Sequence, residues 1–152
     1  MKKVITIGRE FGSGGREIGR RIAEKLQIAY YDQEIVTEIA KRTELSEEYV
    51  ERITEDRPYM AYPIHAGMSF HTAYYAYTEL DRSLTVLAEQ HNIIKELAEK
   101  SDCVIVGRCA DYILKEKDPF RIFVYADAES KLKRCRERSP EDENLSDTKI
   151  RR

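Results

Sequence analysis

Val4-Ile5-Thr6-Ile7-Gly8-Arg9-Glu10-Phe11-Gly12-Ser13-Gly14-Gly15-Arg16-Glu17-Ile18 is the stretch on which the reading of this chain turns. Its first four residues form a β-branched run that ends at a glycine, as a buried strand does. A glycine cluster follows. Beyond it Ile18, Ile22 and Leu26 recur four apart, with Arg20, Arg21, Glu24 and Lys25 between them. That spacing predicts an amphipathic helix whose apolar stripe is Ile18, Ile22 and Leu26. Strand, glycine loop and helix in this order open an α/β unit.

The rest of the chain extends that pattern. Ile28 to Tyr31 reads as a second short strand, with Asp32 in the N-cap position of a helix through Ile35, Val36, Ile39 and Ala40. Ser46 caps another short helix, with Glu47 and Glu48 in its first turn, where acidic charge complements the helix dipole. Residues 58–77 concentrate Tyr59, Tyr62, Phe70, Tyr74, Tyr75 and Tyr77 without a clean period. They read as an irregular aromatic-rich insertion, suited to the core, to a subunit contact or to stacking on a base. Glu79 to Lys100 reads as a long helix with one stripe of Leu80, Leu84, Leu87, His91, Ile94 and Ala98, which makes His91 a packed histidine.

Cys103 to Val106 is apolar at every position, as a strand covered on both faces requires, and ends in Gly107-Arg108. Arg121 to Ala126 is the fourth strand and Glu129 to Arg138 a very basic helix, on which Lys131 and Lys133 read as solvated. Ser139 to Asp147 is a polar, acidic loop, and Ser146 reads as the N-cap of a helix at which the chain stops. Four parallel strands leave an edge open, which proteins usually avoid. The expectation is therefore one domain over residues 1–152, a shortened version of a longer one with its last strand missing.

Composition narrows the function. The 152 residues carry 26 Lys+Arg against 28 Asp+Glu, a net charge of -2, which argues against nucleic acid or an anionic membrane as the main partner. Cys103, Cys109 and Cys135 form no CxxC pair, and His65, His71 and His91 have no metal spacing, so neither a disulfide framework nor a protein-built metal site is expected. Val4 to Ile7 is too short for a signal peptide or a membrane span. A soluble, cytoplasmic protein with reduced thiols is expected.

The glycine loop suggests the chemistry. Backbone N–H groups that converge ahead of a helix N-terminus bind phosphate, and glycines permit the φ > 0 conformations and close approach this needs. Gly12, Ser13, Gly14, Gly15, Arg16 and Glu17 stand in that context. The alternative is a tight strand–helix turn, although such turns rarely need three glycines flanked by Arg9 and Arg16. The pattern G-x-x-x-x-G-K-[ST] is not met: with Gly14 as its second glycine, Gly15 takes the lysine's place and Arg16 the next. Arg16 one place later, or Arg9 and Arg16 together, could supply the missing charge. Ser13 or Glu17 are the candidates for the magnesium-holding oxygen. The dinucleotide pattern G-x-G-x-x-G also fails, at Glu17. Arg108, at the carboxyl end of a buried strand, is placed to grip an anion with two parallel hydrogen bonds, or else pairs with Asp111 or Asp32. Asp32 reads equally as a cap or as a substrate group.

Three segments together, Ile7 to Ile18, Tyr31-Asp32 and Cys103-Val104-Ile105-Val106-Gly107-Arg108-Cys109-Ala110-Asp111, resemble the cytidylate kinase-like family, a branch of the nucleoside monophosphate kinases within the P-loop NTPases. The resemblance implies a three-layer α/β P-loop fold with a parallel sheet, here without its last strand and lid, residues 139–152 being the start of that lid. It implies ATP and Mg2+ as cofactors and small-molecule nucleotides as partners. By the same resemblance Gly12 to Glu17 hold donor phosphates, Asp32 and Gln33 begin the monophosphate site, and Arg108 grips the acceptor's phosphate. Arg16 and Arg108, with Arg134 and Arg138 leading into the lid, are the catalytic candidates. The family's tyrosine–arginine pair is replaced by Thr37-Glu38. Transfer of phosphate from ATP to a nucleoside monophosphate is the expected activity. A nucleotide-binding module with little or no turnover, acting through protein contacts, is the alternative, and a second copy of the chain, forming a homodimer, is a candidate partner.

Overall fold

A parallel sheet must be covered on both faces, so its strands are recognised by unbroken apolar runs. The computed structural model describes residues 2–55 and 70–138, and among them are four strands, of which the third alone is buried at every position while Phe120 and Phe123 of the last are exposed. The strands are β1 (Val4–Arg9), β2 (Ala29–Tyr31), β3 (Cys103–Val106) and β4 (Phe120–Val124), in spatial order β2-β3-β1-β4 and all parallel. Register is set by pairs such as Ile7 with Val106 and Ile7 with Ile122, so β1 and its apolar residues lie at the centre. β1 runs two residues further than its β-branched core, because Gly8 and Arg9 still pair with Phe123 and Val124.

The helices are α1 (Gly15–Leu26), α2 (Gln33–Thr43), α3 (Glu47–Glu55), α4 (Phe70–Lys100), α5 (Ala110–Ile113) and α6 (Ala128–Arg138), with a 3-10 turn at Lys115–Lys117. Two compact units result: Met1–Asp32 with Leu97–Arg152, which holds the sheet, and Gln33–Glu96. In the sheet unit Ile7, Ala23, Val104 and Val106 form a buried cluster, joined by Ile5, Ile22, Ile28, Tyr30, Ile122 and Val124. In the other unit, Ser46 caps α3 through a 3.3 Å bond from the Tyr49 N–H, and Arg42 is held by Glu38 and by both oxygens of Glu96.

Several expectations need correction. The buried face of α1 is Gly15, Gly19 and Ala23, while Ile18 and Leu26 are exposed. Gly19 lets the helix descend onto the sheet: a Cβ there would lie 2.9 Å from Val106 and 3.0 Å from Ile7. Proximity to the strands, not side-chain bulk, chooses the face. The aromatic segment is helical from Phe70 onward, as the first turns of α4; the part before it, and the acidic stretch from Ser139 with Ser146, lie outside the described residues. The buried side of α4 is Val86, Gln90, Ile93, Ile94 and Ala98, whereas Leu80, Leu84 and His91 face out. The apolar leucines misled because α4 carries apolar residues around much of its circumference, and period alone could not choose among them.

Candidate phosphate-binding site

The carboxyl ends of β1 and β3 are the place to look, because open α/β sheets put ligands there. At the end of β1 the Glu10 N–H donates to the Val124 carbonyl at 3.0 Å, fastening the outgoing chain to β4. The Ser13 N–H and hydroxyl both donate back to the Glu10 carbonyl, at 3.2 and 2.8 Å. This closes a tight turn and buries Ser13. Gly12 and Gly14 then take φ of +74° and +86°, the left-handed region that glycine enters without steric cost. Gly14 is the N-cap of α1 without any side-chain cap, and the first helical bond is Ile18 N–H to Gly14 carbonyl at 3.1 Å. The N–H groups of the first turn, from Gly15 on, therefore lack helical acceptors, and the helix dipole adds positive potential at the same point. A helix end left open by its own sequence suits an anion.

Arg16 and Asp32 meet. The Arg16 Nε is 2.8 Å from Asp32 Oδ2, the Tyr30 hydroxyl donates to the same oxygen at 3.4 Å, and the Asp32 side chain is only 9% exposed. Asp32 thus serves as the counter-ion of the loop arginine. Tyr30, in turn, is held near this pair by a 3.3 Å bond to the Arg16 carbonyl. Gln33 begins α2, in the other unit, and is exposed.

Arg108 follows β3 directly. The Gly107 N–H donates to the Ile7 carbonyl at 2.8 Å, which ties this turn to β1 beside the glycine loop. Gly107, Arg108 and Cys109 take φ of +68°, +59° and +53° in succession, and Arg108 is buried. A left-handed conformation costs a non-glycine residue on the order of 1–3 kcal/mol and gathers at ligand sites. That strain holds the arginine at the sheet's carboxyl edge.

A third element closes over the loop. Asp127 caps α6, accepting from the Ser130 N–H at 2.8 Å and its hydroxyl at 2.7 Å, and these bonds keep its carboxyl below the usual range. The cap fixes where α6 begins. Lys131, Arg134 and Cys135, at helical spacings of three and four, form the side that faces the loop. Lys131 Nζ is 3.0 Å from Glu10 Oε2 and only 13% exposed, so the solvated reading of this lysine is corrected. The Lys131 hydrogen bond draws the Glu10 carboxyl below its ordinary pKa. Arg134 Nη1 is 3.2 Å from Glu17 Oε2, while the other oxygen of Glu17 pairs with Arg21. A Cβ on Gly14 would lie 2.9 Å from the Arg134 guanidinium; one on Gly12 would lie 3.0 Å from the Cys135 Sγ. Glu10 and Lys131 escaped the sequence reading because 120 residues of chain separate partners that touch only after folding; the Asp127-to-Ser130 cap was the available signal. Arg138 ends α6.

Among the described residues no group of three or more His, Cys, Asp or Glu side chains is placed to hold a metal ion, and no helix is long and apolar enough to cross a membrane.

The chain is similar to known proteins over nearly its whole length. The family model described as "Cytidylate kinase-like family" matches residues 4–152. Among solved structures, an uncharacterized protein from Eubacterium ventriosum is similar with a TM-score of 0.63 and 27% identity, over 99% of this chain and 70% of that one. Shikimate kinase from Acinetobacter baumannii, solved with shikimate, has a TM-score of 0.52 at 17% identity, over 99% of this chain and 73% of its own. A Thermus thermophilus protein has a TM-score of 0.50 at 16% identity, over 98% and 76%. No curated protein sequence matches. The architecture is the α/β P-loop kinase fold.

Proposed function

The chain belongs to the cytidylate kinase-like family, and from that premise we propose that it transfers the γ-phosphoryl group of ATP to a nucleoside monophosphate, cytidylate by family, with magnesium. One observation carries the proposal: the open, uncapped N-terminus of α1 behind two left-handed glycines, with Arg108 held at the end of the adjoining strand. Phosphoryl transfer needs positioning and charge neutralisation more than a covalent partner. In this reading the amides after Gly14 hold the donor's phosphates, and the loop arginines Arg9 and Arg16 supply positive charge, Arg16 being held by Asp32. Asp32 and Gln33 begin the acceptor site, Arg108 grips the acceptor's phosphate, and Arg134 and Arg138 neutralise the group in flight.

Magnesium commonly keeps several waters and binds through substrate phosphates with one or two protein oxygens. Of the two candidate oxygens the Ser13 hydroxyl fits that mode, since it gives its proton to the Glu10 carbonyl and keeps its lone pairs, whereas Glu17 is already paired at both oxygens. When bound, the ion would neutralise charge on the donor's phosphates. The cytoplasm is the setting we propose, consistent with three free cysteines.

A second reading, a nucleotide-binding module with little turnover, is supported by Glu17, whose two oxygens are already paired to Arg21 and Arg134. Calorimetry with ATP and each monophosphate, run beside a coupled assay for ADP release, separates the two. ADP formation that requires a monophosphate supports the kinase, binding without ADP supports the module, and no binding overturns both. Arg108→Ala is expected to raise the acceptor's KM and lower kcat; unchanged kinetics with every monophosphate would remove Arg108 from the acceptor site.

A further inference from the structure

The standard phosphate loop reads G-x-x-x-x-G-K-[ST], and set on Gly14 as its second glycine, this chain departs from it at both ends of one contact. The pattern's first glycine is Arg9, and the pattern's lysine is Gly15. Glycine and lysine have become arginine and glycine, with the cation moved from one end of the loop to the other. The two residues touch. A Cβ built on Gly15 would lie 2.7, 3.5 and 3.2 Å from Cβ, Cγ and Cδ of Arg9, so the arginine's stem runs across the space where a side chain at position 15 would begin.

Backbone conformation does not demand glycine here. Gly12, Gly14 and Gly107 have positive φ, but Gly15 does not; it is the first residue of α1, where glycine is a poorer helix former than almost any alternative. What excludes a larger residue is Arg9. The guanidinium begins one bond beyond Cδ, and that stem already lies on the uncapped end of α1. Arg16, the other candidate for the missing charge, is engaged at Nε by Asp32, 2.8 Å away.

We propose that Arg9 does the work of the loop lysine, reaching the donor's phosphates from the end of β1, and that Gly15 is glycine to let it pass. The inference rests on the phosphate-binding reading of the loop and assigns the donor-side cation within it. The arginine's charge-assisted contact adds to the attraction that the positive helix end and the amides around it exert on the same anion.

The test is a charge relocation, read by calorimetry with ATP and by the shift in unfolding temperature that ATP produces. Arg9→Met keeps the stem and removes the charge; with each variant's ligand-induced shift measured against its own ligand-free midpoint, it is expected to weaken ATP about 10- to 100-fold. Gly15→Lys alone is expected to destabilise the loop and gain no affinity, because the new Cβ meets the Arg9 stem. Arg9→Gly with Gly15→Lys restores the standard pattern and is expected to bind ATP at least tenfold more tightly than Arg9→Gly alone. ATP binding by Arg9→Met equal to the parent's, or a double variant no better than Arg9→Gly, overturns the assignment while leaving the loop a phosphate site. Failure of the parent to bind ATP at all removes the phosphate-binding reading, and the assignment with it.

Discussion

Gly12→Ala and Gly14→Ala form a matched pair in which the shorter contact should be the less damaging. Both glycines are left-handed, at +74° and +86°, so alanine at either costs about 1–2 kcal/mol in backbone strain alone. The surroundings then separate them. The Cβ at residue 14 would lie 2.9 Å from the Arg134 guanidinium, the free end of a long side chain that can swing aside. The Cβ at residue 12 would lie 3.0 Å from Cys135 Sγ and 3.3 Å from both the Cβ and the backbone carbonyl of Lys131. Relief there requires α6 itself to shift, and overpacking of this kind typically adds about 1–3 kcal/mol. Gly14→Ala is therefore expected to cost about 1–2 kcal/mol and Gly12→Ala about 2–5 kcal/mol. With no tryptophan in the chain, urea unfolding followed by far-ultraviolet circular dichroism is the assay, with both variants fitted alongside the parent. Equal losses, or a larger loss for Gly14→Ala, would refute the claim that α6 backbone bears on the loop at Gly12.

Further outcomes are expected. Asp32→Asn removes the counter-ion of Arg16 and should destabilise by about 1–2 kcal/mol, below the range for fully buried pairs because the Arg16 side chain is 41% exposed; no change in urea midpoint would count against it. Because its partner Lys131 lowers the Glu10 pKa, that carboxylate's contribution to stability is present at neutral pH and fades as pH falls through the depressed pKa. The urea midpoint of Glu10→Gln should accordingly fall short of the parent's at pH 7, and the gap should close as the solution is acidified; a constant gap would exclude the linkage. Burial pushes the Cys103 thiol up to about 11, so at pH 8 a thiol reagent should label exposed Cys109 first and reach Cys103 only on unfolding. Rapid labelling of Cys103 in the folded protein would contradict its place in the sheet.

The strands, the glycine loop, the helix after it and the Ser46 cap were all legible in the sequence. Each is decided by residues within a few positions of one another: a β-branched run, a cluster of residues free at φ, a hydroxyl three places before an N–H. The family, too, is written in the segments around Gly12 and Arg108. Choices between faces were not legible. α1 buries Gly15, Gly19 and Ala23 and leaves Ile18 and Leu26 exposed, and α4 turns His91 outward, because which side of a helix is covered depends on what approaches it from elsewhere in the chain. The candidate site divides along the same line. Local sequence determined a glycine turn at the end of the first strand, opening directly into α1. Only the tertiary structure brought Lys131 to Glu10, Arg134 to Glu17 and Asp32 to Arg16, since charges pair by distance in space, and laid the Arg9 stem across Gly15.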